Sequence, residues 1–425
     1  MSKLSIIEGD ENYVATIVRL PELKPVNGLD NLMLATVFGY NCLVGKDSDP
    51  NELYIFFPAE CQLSQEFLSI NNLYRHSELN SNKTIKGFFE DNGRVKAMKF
   101  KGIISSWFLI PTMSLWGDMD VNDGDTFHLI NWIEICRKYR SPQAIAKAKS
   151  LAAQGINQPK YDRVIPTQFR FHTSTPQFLR FIEDFQEWDR VVITEKLHWT
   201  SAVFSNVLTK RKLSVIDRIA WALWANITKT EYFPLYSSRT VIKNQDVNPN
   251  QEGGYYWEDI WGIYAKALEW KIEKGITLYG EIVGYTPSGK YIQSGYHYGC
   301  KEGESKFYCY RITYTTPDGI VIEFTDSQIR QYCELRDILV VPRIVTDTWC
   351  WEMSSRSPNL ERVYRYSGNL EVMCPLNDNK VPREWVVIRR DGQETFSAYK
   401  LKSQLFLGYE TAQLDEGSED TEEEN

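Results

Sequence analysis

The 425-residue sequence has five histidines and no Cys-x-x-Cys pair. Its cysteines (Cys42, Cys61, Cys136, Cys300, Cys309, Cys333, Cys350 and Cys374) are scattered without metal-ligand spacing, so they read as reduced thiols and not as a disulfide framework. No two histidines stand four apart beside a carboxylate, which argues against a zinc hydrolase. Neither G-x-G-x-x-G nor G-x-x-x-x-G-K-[ST] occurs, so a dinucleotide fold and a P-loop are both excluded. Apolar runs such as Phe108-Leu109-Ile110 and Val386-Val387-Ile388 are too short to span a bilayer. Glu8 and Asp10 interrupt the amino terminus before an apolar stretch develops, so no signal peptide is expected. These absences predict a soluble, cytoplasmic protein with no membrane partner and no obligate protein partner.

What is present is a hydrophobic fraction of 43%, enough for real cores, and a net charge of −8 that is unevenly placed. Residues 409–425 hold Glu410, Asp415, Glu416, Glu419, Asp420, Glu422, Glu423 and Glu424 and no Lys or Arg. Without those eight charges residues 1–408 are neutral, so any polyanion-binding surface must be a local patch. One candidate is 137–160, with six basic residues and no acid. It reads as an amphipathic linker helix, or alternatively as a phosphate-contacting bridge.

Turn clusters such as Asn27-Gly28 and Asp91-Asn92-Gly93 separate short β-type runs in the first part of the chain. They predict a small OB-like β-barrel over 1–130, followed by a basic helical linker over 131–163. Residues 164–408 alternate β-type segments (Arg190–Thr194, Leu278–Tyr285, Phe307–Thr315, Ile320–Phe324, Trp385–Arg390, Phe396–Leu401) with helix candidates (Pro176–Trp188, Ser214–Ile227, Glu258–Glu273, Asp326–Leu335). That pattern predicts an α+β domain of antiparallel sheets with flanking helices. Residues 409–425 are expected to be a disordered acidic tail.

The strongest local signal is Val191-Val192-Ile193-Thr194-Glu195-Lys196-Leu197-His198, a hydrophobic strand ending in a lysine. Such a lysine points out of a sheet, and beside other cations it can become a nucleophile. Arg239 follows in a polar turn, then Glu281 within the apolar strand Leu278–Gly284. A carboxylate in such a strand is costly unless it binds a cation or a hydroxyl. The aromatic strand Phe307-Tyr308-Cys309-Tyr310 comes next, then Arg383-Glu384 opening another strand, then Lys400-Leu401-Lys402 with both lysines on one strand face.

This ordered set resembles the covalent nucleotidyltransferases, and within them the ATP-dependent RNA ligases, in the branch with an OB module ahead of the adenylation domain. Glu195-Lys196-Leu197-His198 is similar to the first motif, Tyr279-Gly280-Glu281 to the third, Arg383-Glu384 with Val386-Val387-Ile388 to the fourth and Lys400-Leu401-Lys402 to the fifth. The resemblance implies Lys196 as the residue that accepts AMP, with Lys400 and Lys402 as cations on the phosphates. Glu195, His198 and Arg239 would help to bind ATP. Glu281 and Glu384 would hold ribose hydroxyls and Mg²⁺ (or Mn²⁺), and either Phe307 or Tyr310 would stack on adenine. The implied substrate is RNA with a 5′-phosphate and a 3′-hydroxyl. DNA ligases and mRNA guanylyltransferases carry an OB domain after the fifth motif, whereas only 23 residues follow Lys402 here, so they are the weaker expectation. His172, just ahead of this region, reads as structural.

Two positions depart from the pattern: Trp199 and Trp385 stand where the family has glycine. Glycine permits close approach of a nucleotide, whereas an indole needs room. The site is then rebuilt, or the protein is an RNA binder without turnover, or glycine codons have been rendered as tryptophan. The count of 13 Trp, Trp270 among them, motivates the third reading.

Overall fold

The computed structural model describes residues 2–38, 40–116, 119–142, 145–146, 149, 161, 163–172, 175–178, 181, 184–197, 200–214, 217, 228–244, 247, 258–293, 295–348 and 371–415. These fall into two compact units, one built from 2–149 with 402–415 and the other from 161–348 with 371–401. The architecture is α+β, with mostly antiparallel sheets and few helices. Among the described residues no helix is long and apolar enough to cross a membrane.

The first unit is built on a four-stranded antiparallel sheet of β1 (Ala15–Arg19), β2 (Leu53–Pro58), β3 (Trp107–Pro111) and β4 (Thr126–Phe127), in the order β3-β2-β1-β4. β2 is buried along most of its length, and Ile55 and Phe57 pack with Ile17, Phe67 and Phe127 in one core. Short helix α1 (Gln65–Ile70) starts where the Ser64 hydroxyl accepts the Phe67 N–H, which satisfies one of its orphan donors. Smaller sheets surround this one, including the pair Cys61–Leu63 with Cys136–Lys138.

Two expected boundaries move. Ile133–Glu134 and Cys136–Lys138 are strands of the first unit, so the unit runs past residue 130 and no linker begins there. Helix α4 (Gln404–Asp415) enters the stretch expected as tail: Thr411 is buried, its hydroxyl donates to Glu60 Oε1 at 3.0 Å, and Asp415 pairs with Arg94. These partners lie more than 300 residues away in sequence, so composition alone does not reveal them. Most of 144–160 lies outside the described residues.

The second unit holds two sheets. One orders β11-β5-β12-β13, from β5 (Arg190–Lys196), β11 (Arg343–Thr348), β12 (Trp385–Asp391) and β13 (Ala398–Lys402). The other orders β7-β6-β8-β9-β10, from β6 (Thr200–Lys210), β7 (Thr230–Ser237), β8 (Ile276–Gly284), β9 (Ser305–Thr315) and β10 (Val321–Glu323), with Leu339–Val340 running parallel to β9. β5 is central and apolar on both faces, with Val191, Val192 and Ile193 all buried, as expected of a strand covered on both sides. Two of the helix candidates appear: α2 (Ile260–Leu268), capped by Asp259, and α3 (Asp326–Glu334), opened by a capping box of Thr325 and Gln328. The described residues of 176–188 form no α-helix, and most of 214–227 is outside the described residues.

Candidate active site

The register of the first of these sheets decides which side chains meet. Thr194 pairs with Val387, Lys196 with Trp385 and Val192 with Arg389. Opposed residues share a face, and alternate residues repeat it. One face therefore carries Val192, Thr194 and Lys196 from β5, Trp385, Val387 and Arg389 from β12, and Ala398 and Lys400 from β13. All but Trp385 line a cavity of about 140 Å³. Ser201 and Glu281, directly opposed on β6 and β8, contribute to it, and so does Tyr310 from β9. His172, Arg239, Asp326 and Phe396 complete its charged and aromatic lining.

Lys196 Nζ lies 3.0 Å from Glu384 Oε1; its side chain is 22% exposed and that of Glu384 is 1% exposed. The nucleophile candidate is thus reachable while its carboxylate partner is sealed. Trp385, itself buried, puts its ring 5.2 Å from the Lys196 ammonium and 4.2 Å from that of Lys400, a cation–π platform beneath both. Glu195 also lines the cavity, and its carboxylate is held by Arg383 at 3.4 Å and by the Cys374 thiol at 3.8 Å.

Of the two aromatic candidates on β9, Tyr310 lines the cavity and Phe307 does not. Phe307 is buried in the core against Phe204, with ring centroids 5.0 Å apart. Gly280 makes that packing possible, since a Cβ there would sit 2.4 Å from the Phe307 ring. The adenine-stacking role considered for Phe307 is therefore withdrawn. Tyr310 reaches the cavity because the β8–β9 register skips it: Tyr279 pairs with Arg311 and Gly280 with Cys309. A bulge of this kind re-aims a side chain. Burial, and then the nearby Glu281 charge, push the Tyr310 phenol well above its ordinary pKa, so it stays a neutral hydroxyl.

Lys402 is placed apart from this lining. Its ammonium pairs with Glu410 of α4 and lies 5.3 Å from the Phe406 ring centroid. His198 lies outside the described residues, as does Trp199.

Sequence reasoning missed Arg389 and undervalued His172. Val386-Val387-Ile388-Arg389 could have flagged the former, because strand period places Val387 and Arg389 on the Lys196 face. The His172 ring lies 5.1 Å from that of Tyr310 and 5.5 Å from that of Phe396, and its Nδ1 is 3.4 Å from Arg311 Nη1. Burial, followed by the charges of Arg311, Arg239 and Lys196, pushes its pKa down to about 3. An imidazole held neutral among cations adds a polar group without adding charge.

Lys196, Arg239, Arg389 and Lys400 share the lining with Glu195, Glu281 and Asp326. Asp326 is also held by Arg330 at 3.0 Å and Arg343 at 3.0 Å, Glu195 by Arg383, and Glu384 by Lys196. Such a pocket suits a polyanion with an aromatic part. Among the described residues no cluster of three or more His, Cys, Asp or Glu forms a metal cage. Glu281 and Glu384 are two hard oxygen donors beside a phosphate-suited pocket, and that set fits Mg²⁺, which takes one or two carboxylates and completes its shell with phosphate oxygens and water.

No family model matches the chain, and a search of curated proteins found no significant match. Solved structures do resemble it. A Naegleria gruberi RNA ligase variant with ATP and Mn gives a TM-score of 0.57 at 14% identity, covering 93% of this chain and 98% of that one. The RNA ligase from the same organism with PPi gives 0.56 at 15% identity, covering 94% and 98%. An apo variant gives 0.55 at 15% identity, covering 95% and 99%. The chain has the fold of these RNA ligases.

Proposed function

We propose that the protein is an ATP-dependent RNA ligase that works through a lysyl–AMP intermediate at Lys196. The observation that carries this reading is the placement of the Lys196 ammonium, paired with sealed Glu384, on the wall of a cavity ringed by Arg239, Arg389 and Lys400. The amine must give up its proton to water before it can react; Glu384 Oε1 holds it at 3.0 Å, and a divalent cation on the nearby carboxylates would favour the neutral amine. The neutral nitrogen then attacks the α-phosphorus of ATP. A P–N bond forms, the α–β phosphoanhydride P–O bond breaks, and pyrophosphate leaves. In the second step an RNA 5′-phosphate oxygen attacks the same phosphorus, and the lysine nitrogen departs and is reprotonated. In the third step an RNA 3′-hydroxyl attacks the activated 5′-phosphate and AMP leaves.

Negative charge builds on non-bridging oxygens at each step, so cations fixed beforehand are the main requirement. Lys400 and Arg389 supply them from the same sheet face, and Arg239 from its turn. Lys402 joins this set once its pairing with Glu410 is released. Tyr310 presents its ring to adenine, and Glu195 and Glu281 orient the nucleotide. Glu281 and Glu384 would hold Mg²⁺ or Mn²⁺. The metal neutralises phosphate charge when bound. The first unit acts as an OB-like barrel that positions the RNA through phosphate and 2′-hydroxyl contacts.

A second reading, an RNA binder with the ligase fold and no turnover, draws on Trp385, whose indole occupies the space between the two lysines. Incubation with α-labelled ATP and Mg²⁺ separates the two. Label that stays on the denatured chain, and is abolished in Lys196→Ala, supports the ligase. Label that survives this substitution refutes the assignment to Lys196.

A further inference from the structure

Among the described tryptophans two contrasting sets stand out. Trp107 and Trp261 behave as core tryptophans. Trp107 is 8% exposed and stacks on Phe56 at 4.4 Å, while Trp261 is 1% exposed and its Nε1 donates to the Ser201 carbonyl at 3.1 Å. Trp132, Trp188 and Trp270 are 69%, 70% and 79% exposed. Exposure alone says little, but two of these three also have left-handed backbone, φ 71° at Trp132 and φ 74° at Trp188. That region is sparsely used by non-glycine residues; Phe38 and Tyr298 also adopt it here, so it is the turn type at 132 and 188 that distinguishes them.

Both positions are turn positions that call for glycine. Ile130 pairs with Ile133 across a two-residue loop, Asn131-Trp132, and both loop residues have positive φ, 49° and 71°. This is the type I′ hairpin pattern, whose sequence signature is Asn-Gly. At the second position the Asp189 N–H donates to the Gln186 carbonyl at 3.1 Å, closing a four-residue turn with Trp188 third and in left-handed conformation. A type II turn requires glycine there. Neither Trp132 nor Trp188 is among the residues that line the cavity, so the backbone and the motif pattern point to the same substitution independently.

We propose that Trp132, Trp188, Trp199 and Trp385 are glycine in the protein its own cells make, because the gene uses UGA as a glycine codon. The consequence for the site is direct. Trp385 lies opposite Lys196, with its ring 5.2 Å from that ammonium and 4.2 Å from Lys400. Glycine at 385 vacates the space beside both cations, where the ligase reading puts the α-phosphate. Only this last clause rests on that reading; the turn geometry does not.

The test begins with the gene. UGA at codons 132, 188, 199 and 385, with UGG at 107 and 261, is the expected result. UGG at 132 and 188 overturns the proposal. So does UGA at 107 and 261 as well, because the codon would then serve core tryptophans. Peptide mass spectrometry of the protein from its native cells should show glycine masses at 132 and 188, and tryptophan masses there would sink the idea. In recombinant protein, the double variant W132G/W188G should unfold at a midpoint higher by about 2–4 °C, whereas W261G should lower it. W199G/W385G should increase adenylate labelling at least tenfold. Glycine found at 132 and 188 with no labelling in that variant would leave the decoding standing and reject the ligase reading instead.

Discussion

Each unit of the molecule gathers charge away from water, and the two do it to opposite ends. In the first unit the Arg94 side chain, 2% exposed, makes two bonds to Glu60 (2.7 and 2.8 Å) and one to Asp415 (2.8 Å). Lys96 adds bonds to Asp415 at 3.0 Å and Glu90 at 2.9 Å, and Thr411 donates to Glu60. Every donor there meets an acceptor, and the cluster fastens α4 to the unit. In the second unit Asp326 and Glu195 are held by arginines outside the cavity lining, Glu384 pairs with Lys196, and Lys196, Arg239, Arg389 and Lys400 share one lining with Glu281. The same residue types fasten a helix in one unit and gather around a cavity in the other.

The largest effect should come from breaking the latch. Arg94→Ala leaves the buried Glu60 carboxylate uncompensated and should cost about 3–5 kcal/mol, read from urea unfolding followed by a probe in the first unit. Arg94→Met combined with Glu60→Leu should recover much of that loss, because a well-packed apolar pair replaces a balanced ionic one at little cost. A loss below about 1 kcal/mol in the single variant would show that the cluster is decorative and would break the comparison.

Next in size is the opposite result in the cavity. On the ligase reading Lys400→Ala should leave stability within about 1 kcal/mol, while lysyl–adenylate formation slows by about 10²–10³. Rapid-quench labelling beside thermal unfolding checks both halves. Comparable damage to fold and rate would mean that Lys400 serves packing over Trp385 more than phosphate charge.

How much of this was legible in the sequence follows from how local each feature is. Lys196, Glu281 and Lys400 stand out in the sequence through the ordered motifs that resemble those of RNA ligases; each alone reads as an ordinary strand residue, and the two-residue period adds only the shared face of Lys400 and Lys402. The choice between Phe307 and Tyr310 could not be read, since the skipped register at Tyr310 is set by pairing with Gly280 on another strand. Nor could the split of Lys400 from Lys402: identical spacing favours one face, but Glu410 engages the second ammonium. The reach of the first unit past residue 130 and the ordering of 409–415 depend on contacts such as Arg94–Asp415, |i−j| = 321, for which composition carries no signal. Arg239 and Arg389 look alike as sequence, and only the register shows that Arg389 lies opposite Val192.

The subtlest difference between the two regions lies in His172. Its pKa, near 6.5 in an open chain, is pushed down to about 3 in the fold by burial and by Arg311, Arg239 and Lys196. Between those values the unfolded chain binds a proton that the folded chain refuses. Stability must therefore fall as pH drops from 6.5 toward 3, with a slope approaching one proton from this residue. His172→Asn removes the proton site while keeping a polar side chain, so the variant's unfolding free energy should depend less steeply on pH between 4 and 6.5, and match the parent's slope above 7. Urea titrations at a series of pH values measure this, and the imidazole resonance of His172 should stay unprotonated through pH 5. A ring that titrates near 6.5 in the folded protein would mean that neither burial nor the surrounding cations act on it.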